Sequence, residues 1–249
     1  MLQAVGPSTL NRSEQFAFWI NLYNAETVRT VLSGYPVRSM LLVRPGLFSI
    51  GPWRRKTLCV DGVRLSLDDI ENRILRPGFA DPRVHYALNC ASTGCPSLRA
   101  TAWRALNLDE ELDEAARATI NHSRAVRTKN GRLVLSRIFK WYRKDFGKTD
   151  EAVLAHIAGY ANPPLAAALR DGRKIGGYAY DWSLNSRRRV DGAGDVGTGA
   201  SGSRDHRREP ASNPVRQRHE GEHDQQQNGD DSPRHDHSSF RARRQGRGA

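Results

Sequence analysis

The sequence predicts an α+β domain: a mainly antiparallel small sheet with hairpins packed on several helices, followed by a disordered C-terminal tail. Three observations carry that expectation. Asp61-Gly62 and Asn130-Gly131, dipeptides that favour left-handed turns, each sit between short apolar runs. Asn11-Arg-Ser-Glu14 and Asn107-Leu-Asp-Glu110 have capping-box spacing ahead of periodic apolar stretches. Strand-like and helix-like segments do not alternate regularly, so a doubly wound parallel sheet is not expected.

The first helix is expected from Asn11 to about Ser33, with Gly34 and Pro36 as its stop. No charged residue occurs between Phe16 and Ala25, and apolar side chains cover every face of the wheel, so this helix should be buried nearly all round. It carries Asn21, Tyr23 and Asn24, and the two asparagines share a face at i, i+3. A hairpin follows at 57–65 around Asp61-Gly62. Ser66 caps a short helix, Leu67 to Leu75, expected to end before Pro77. Val84 to Asn89 reads as a short buried strand that runs into the small-residue turn Cys90 to Pro96.

Asn107 caps an amphipathic helix to about Asn121, and a second hairpin at 126–135 turns at Asn130-Gly131. Ser136 caps a helix with Ile138, Tyr142 and Asp145 at i, i+4, i+7, ended by Gly147. Helical patterns cover Glu151 to Tyr160 and Leu165 to Leu169, broken by Pro163-Pro164, and an aromatic strand Tyr178 to Trp182 closes the body.

Two regions divide the 249 residues: a globular part, 1–185, and a tail, 186–249. The tail has 13 arginines, no lysine, and no Leu, Ile, Met, Trp, Tyr or Cys, so it cannot build a core and reads as a disordered, Arg/Gly/His-rich segment. The globular part is long enough to bury its apolar surface without disulfides or a structural metal. Net charge is +12, with basic runs at Arg54-Arg55-Lys56 and in the tail. That charge attracts phosphates weakly, but no recognition motif accompanies it, so specific nucleic-acid binding is not expected. No window of about 18 apolar residues exists, so no membrane span is expected. The first residues lack a charged-then-apolar leader, which points to the cytoplasm for the sequence as it stands.

The densest polar cluster is His85, Asn89, Cys90, Ser92, Thr93 and Cys95. A thiol becomes nucleophilic when a neighbouring group favours its thiolate. In that reading Cys95 attacks, His85 moves the proton, Cys90 adjoins them, and Asn21 or Asn24 orients the imidazole or holds an oxyanion. Tyr23, Asn89, Ser92 and Asp145 supply further polar contacts, as do Tyr142, Tyr180 and Asp181. The pattern points to a thiol-dependent hydrolase or acyl transferase on an amide or peptide-like substrate, with no cofactor or metal. Several readings stand beside it. His85 and the cysteines are packing residues; Cys90 and Cys95 form a disulfide across their short gap; or both, with His85, hold a zinc ion for which no fourth ligand is evident. The two asparagines equally suit fastening of loop backbone, such as the turn from Asn89 to Pro96. At the level of function the alternatives are a non-catalytic interaction module and weak phosphate binding through the tail.

Five separated motifs resemble one family: Phe18-Trp-Ile-Asn-Leu-Tyr-Asn-Ala25; Leu67 to Glu71 with Ile74 to Pro77; Asp81 to Pro96; Ser136 to Gly147; and Tyr180 to Asn185. They resemble the domain of unknown function 547 (DUF547), colinearly from about Pro7 to Asn185. The resemblance implies a bacterial type of protein with no established activity. Bacterial relatives often carry export signals, and plant relatives join the domain to a coiled coil. Family members usually have an extra segment before the Phe18 helix. A truncated N-terminus would therefore imply an extracytoplasmic protein.

Overall fold

The structure is a computed structural model that describes residues 6–43 and 51–186. Apart from Ser186, the tail expectations, disorder and phosphate binding alike, lie outside the described residues.

Helix α1 spans Arg12–Gly34, and its capping box forms as the sequence demands. The Glu14 amide donates to the Asn11 side chain at 3.0 Å, and the Asn11 amide donates to the Glu14 carboxylate at 2.8 Å. Its uncharged middle is buried on nearly every face, from Phe16 to Ile20 and from Leu22 to Asn24. Around it gather Leu58, Val60, Leu67, Ile70, Leu75, Val84, Leu88, Trp103 and Leu112, the first of two apolar clusters.

Strands β1 (Leu58–Val60) and β2 (Val63–Leu65) pair antiparallel with Val60 opposite Val63. Asp61 and Gly62 both have positive φ, 49° and 76°, as a tight primed turn requires. The helix after Ser66 runs further than expected. Leu67–Asp69 (α2) passes through a π-helical stretch, Ile70–Leu75, into Arg76–Phe79 (α3), so Pro77 lies inside the helical run. Pro77 lacks an N–H and would ordinarily interrupt an α-helix. Here it falls at the first turn of α3, where a missing donor costs little, and the preceding ladder has already widened to i→i+5, with the Arg76 amide donating to the Glu71 carbonyl.

Val84–Ala87 is a single helical turn, α4, where a strand was expected. A buried run of four apolar or neutral residues suits either state. The preceding Asp81-Pro82-Arg83 decides it, because the His85 amide donates to the Pro82 carbonyl (3.2 Å) and the Tyr86 amide to the Arg83 carbonyl (2.9 Å). Arg83 is itself tied to Asp81, Asp109 and Asp113 at 2.6, 2.8 and 2.9 Å.

Helix α5 (Leu108–Ile120) begins without the expected box: Asn107 makes no side-chain cap bond. A 3-10 turn, Ala105–Asn107, leads into it and gives Asn107 φ −121° and ψ 24°, outside the extended geometry that aims a cap side chain at the helix. Glu111 accepts instead from the Arg104 amide at 3.2 Å.

Strands β3 (Val126–Lys129) and β4 (Arg132–Ser136) form the second hairpin, with Asn130 and Gly131 at φ 50° and 74°. The helix expected after Ser136 is two short pieces, α6 (Ile138–Trp141) and α7 (Arg143–Phe146), followed by Gly147 at φ 122°. Helices α8 (Asp150–Ala158) and α9 (Pro163–Arg170) follow; Pro163 and Pro164 open α9, where proline fits the first turn. The last strand, β5 (Ile175–Ala179), starts earlier than its aromatic residues suggested and joins β4 in parallel, Leu135 opposite Tyr178. The three-stranded sheet thus combines an antiparallel pair with a parallel one, connected by four helices. Its second apolar cluster includes Ile120, Leu133, Leu135, Phe139, Phe146, Val153 and Ile157.

Candidate functional site

After β5 the chain turns back over the Cys90 to Pro96 loop as an extended strap. The Thr93 amide donates to the Ser183 carbonyl (2.8 Å), the Gly94 amide to the Asp181 carbonyl (2.9 Å), and the Asn185 amide to the Ala91 carbonyl (2.8 Å). The approach is close: a Cβ on Gly94 would stand 2.9 Å from the Asp181 nitrogen and 3.0 Å from the Tyr180 ring, so only glycine fits without a shift. Trp53, Trp141 and Trp182 pack around the strap, with ring centroids of Trp141 and Trp182 at 4.9 and 4.7 Å from Tyr180. Tyr180 is thereby aimed into the loop.

Cys90 and Cys95 are joined by a disulfide, their Cα atoms 6.2 Å apart. The sulfurs sit among hydroxyls. Cys90 Sγ lies 3.0 Å from Ser92 Oγ and 3.1 Å from Tyr180 Oη, and those two oxygens are 2.9 Å apart. The Cys95 sulfur accepts from the Cys90 amide at 2.9 Å and from the Tyr180 hydroxyl at 3.2 Å. Cys95 is 3% exposed, whereas Cys90 is half-buried and reaches the surface. Burial holds the Tyr180 phenol well above its ordinary pKa, so it stays a donor at neutral pH.

His85 does not join the sulfurs. Its Nε2 is 2.7 Å from Asp145 Oδ2, and Asp145 also accepts two bonds from Arg76, 2.6 Å from Nε and 3.0 Å from Nη2. Burial pulls the Asp145 carboxyl upward, but the hydrogen bonds and charges of His85 and Arg76 outweigh it and hold the group well below the usual carboxylate range. The imidazole stacks on Tyr142 with centroids 3.9 Å apart, and Arg76 lies over the same ring at 4.9 Å. Beyond Tyr142 stands buried Glu71, which accepts from the Tyr23 hydroxyl at 3.2 Å. Burial first, and the Glu71 charge second, raise both the Tyr23 and Tyr142 phenols well above their ordinary values. Glu71 and Tyr23 both lie within electrostatic reach of Tyr180, which links the two halves of the cluster.

The asparagines have backbone partners. Asn21 exchanges two bonds with Trp103, its amide donating to the carbonyl and its oxygen accepting from the N–H, both at 2.9 Å. Asn24 donates to the Ala87 carbonyl and accepts from the Asn89 N–H, again at 2.9 Å. Asn89 donates to the Pro96 carbonyl at 2.7 Å and accepts from the Ala91 N–H at 2.7 Å. Each carboxamide thus fastens chain to chain, the alternative the residues left open, and the group that orients His85 is Asp145.

The spacing in sequence grouped Cys90, Ser92 and Cys95, which lie together in the structure, with Tyr23 and Asp145, which bond instead to Glu71 and to His85 and Arg76. It missed Glu71 and Arg76. Five apart in an i→i+5 ladder, they fall close to one side of the helix, as they do not in the α-helix that the sequence suggests. Among the described residues no group of three or more His, Cys, Asp or Glu side chains is placed to hold a metal ion, and no helix is long and apolar enough to cross a membrane.

An α+β domain that straps a disulfide loop over a buried tyrosine and carboxylate cluster is the class these features define. Residues 7–120 match the family described as Protein of unknown function, DUF547. No curated protein and no solved structure matched the chain. The matched stretch holds Glu71, His85 and both bonded cysteines, whereas Tyr142, Asp145 and Tyr180 lie beyond it.

Proposed function

We propose that this domain is a thiol-dependent hydrolase or acyl transferase on an amide or peptide-like substrate, active when the Cys90–Cys95 disulfide is reduced. The observation that carries the reading is the pair of hydroxyls at Cys90 Sγ, Ser92 Oγ at 3.0 Å and Tyr180 Oη at 3.1 Å; the Cys90 amide serves the Cys95 sulfur instead. Donors at a sulfur favour its thiolate. Cys90 is the attacking group in this scheme, because its partner Cys95 is too buried to meet a substrate. A thiol reductant supplies two electrons and two protons to open the disulfide. The Cys90 thiolate then adds to the substrate carbonyl carbon, and the amine departs with a proton delivered through the Ser92 and Tyr180 hydroxyls, leaving a thioester. Water or an acceptor amine adds to that thioester, releases the acyl product and returns the thiol. His85, Asp145 and Arg76 are positioning residues that fix the Tyr142 ring.

The test uses a Cys59→Ser background, so that the third cysteine does not react. Reduced protein is treated with a small haloacetamide at pH 7, and the modified peptide is identified by mass. The expected outcome is labelling at Cys90 several-fold faster than in the urea-unfolded chain, slowed by Tyr180→Phe. Equal rates in folded and unfolded protein overturn the reading.

A second reading has its own support. Asn21, Asn24 and Asn89 are all committed to backbone, and the disulfide closes the same loop, as suits a non-catalytic interaction module with a rigid surface. In that case Cys90→Ser and reduction lower the melting temperature, and no thiol reactivity above the unfolded level emerges.

A further inference from the structure

A cleft of about 250 Å³ opens between the chain after Cys95 and helix α5. Its walls are apolar at Leu98, Ala115 and Ala118, with the Tyr86 ring among them, and Arg99, Glu114, His122 and Arg124 at the polar positions. Leu98 is 48% exposed, so the apolar wall faces water. The volume lies just below the roughly 300 to 1,000 Å³ of drug-sized ligand sites, which suits only a small molecule.

The charges in the cleft are unevenly matched. Arg99 stands 3.3 Å from Glu111 and 3.7 Å from Glu114, and its guanidinium covers the Trp103 ring at 4.8 Å. Arg124 has no carboxylate partner among the described residues. It donates to the Cys95 carbonyl at 3.0 Å and its Nε to His122 Nδ1 at 3.2 Å, and its Nη2 is 3.3 Å from His122 Nε2. A guanidinium has five N–H donors, whereas an imidazole offers at most one acceptor nitrogen, so those contacts engage at most two. At least three are left on a half-buried cation beside an apolar wall.

We propose that this cleft binds a small carboxylic acid with an apolar body, its carboxylate taken by Arg124 and its body laid against Leu98, Ala115 and Ala118. An arginine fork fits a carboxylate in geometry as well as charge. Glu114 opposes an anion, but it is largely exposed and already faces Arg99, so its field at Arg124 is screened. A phosphate dianion fits less well, since one half-buried arginine would have to balance two charges beside an apolar wall. The site goes beyond the thiol reading and does not depend on it.

The probe is N-acetyl-L-leucine, titrated into the full chain and followed by ¹H–¹⁵N correlation spectra, with N-acetyl-L-leucinamide as the neutral control. Saturable shifts centred on Ser97 to Arg99 and the Arg124 Nε signal are expected for the acid, with at least tenfold weaker binding of the amide. Arg124→Gln should weaken the acid by about tenfold or more, the loss of one charge-assisted contact, and Arg124→Lys by less. Absence of saturable shifts, equal binding of acid and amide, or shifts confined to another face overturns the proposal. The acid–amide comparison uses only the parent protein, so it decides the matter even if the variants fold poorly.

Discussion

The two asparagines of α1 and the side chains that surround the Cys90 sulfur and His85 make their hydrogen bonds in opposite ways. On α1, Asn21 and Asn24 bond only to main-chain atoms of distant segments, at four contacts of 2.9 Å. Around the loop, Tyr180, Ser92, Cys90, His85, Asp145 and Arg76 bond mostly to one another's side chains. Side chains committed to backbone hold the frame and cannot exchange partners without breaking it. Side chains bonded to side chains can shift a proton or admit a ligand while the frame stands.

The largest effect expected from that contrast is at Asn24. Asn24→Ala leaves the Ala87 carbonyl and the Asn89 N–H buried without partners, and should lower stability by about 3 kcal/mol in urea unfolding. A loss below about 1 kcal/mol would show that water replaces the carboxamide and that the frame is softer there than the bonds imply.

Asp145→Asn comes next. It replaces charged acceptor bonds to His85 and Arg76 with weaker neutral ones and should cost about 2 kcal/mol at pH 7. The pH dependence has a definite sign. The folded carboxyl lies below its unfolded value near about 3.9, so its stabilisation is fully present above that pH and is lost as pH falls towards the folded value. The gap between parent and variant should therefore narrow steadily as pH falls below about 4; a gap at pH 2 as wide as at pH 7 would assign the effect to packing.

The smallest expected effects compare the two capping boxes. Asn11→Ala breaks a formed box and should cost about 1 kcal/mol, whereas Asn107→Ala removes a side chain with no cap bond and should cost less than about 0.5 kcal/mol. Equal losses in thermal melts would mean that Asn107 caps in solution.

That pair also shows how far the sequence carried. Where a local device acts on its own neighbours, the chain is readable: the Asn11 box and the Asp61-Gly62 and Asn130-Gly131 turns all form where their residues stand. Asn107 has the same letters but enters α5 through a 3-10 turn, so its side chain has no amide to meet. Val84 to Ala87 is too short for periodicity to separate strand from helix, and contacts from Pro82 and Arg83 settle it. The parallel pairing of β5 with β4 depends on four intervening helices and leaves no local mark. At the site, Cys90, Ser92 and Cys95 are close in the chain and were legible. Glu71 and Arg76 were not, because their common side depends on a widened helical ladder that no residue pattern announces.

The strap from Tyr180 to Asn185 carries a consequence for biosynthesis. Translation delivers Cys90 and Cys95 long before the segment that ties down Ala91, Thr93 and Gly94. The two cysteines therefore emerge while their loop is still untethered, and the later arrival of the Tyr180 to Asn185 segment closes over whichever oxidation state the compartment has by then set.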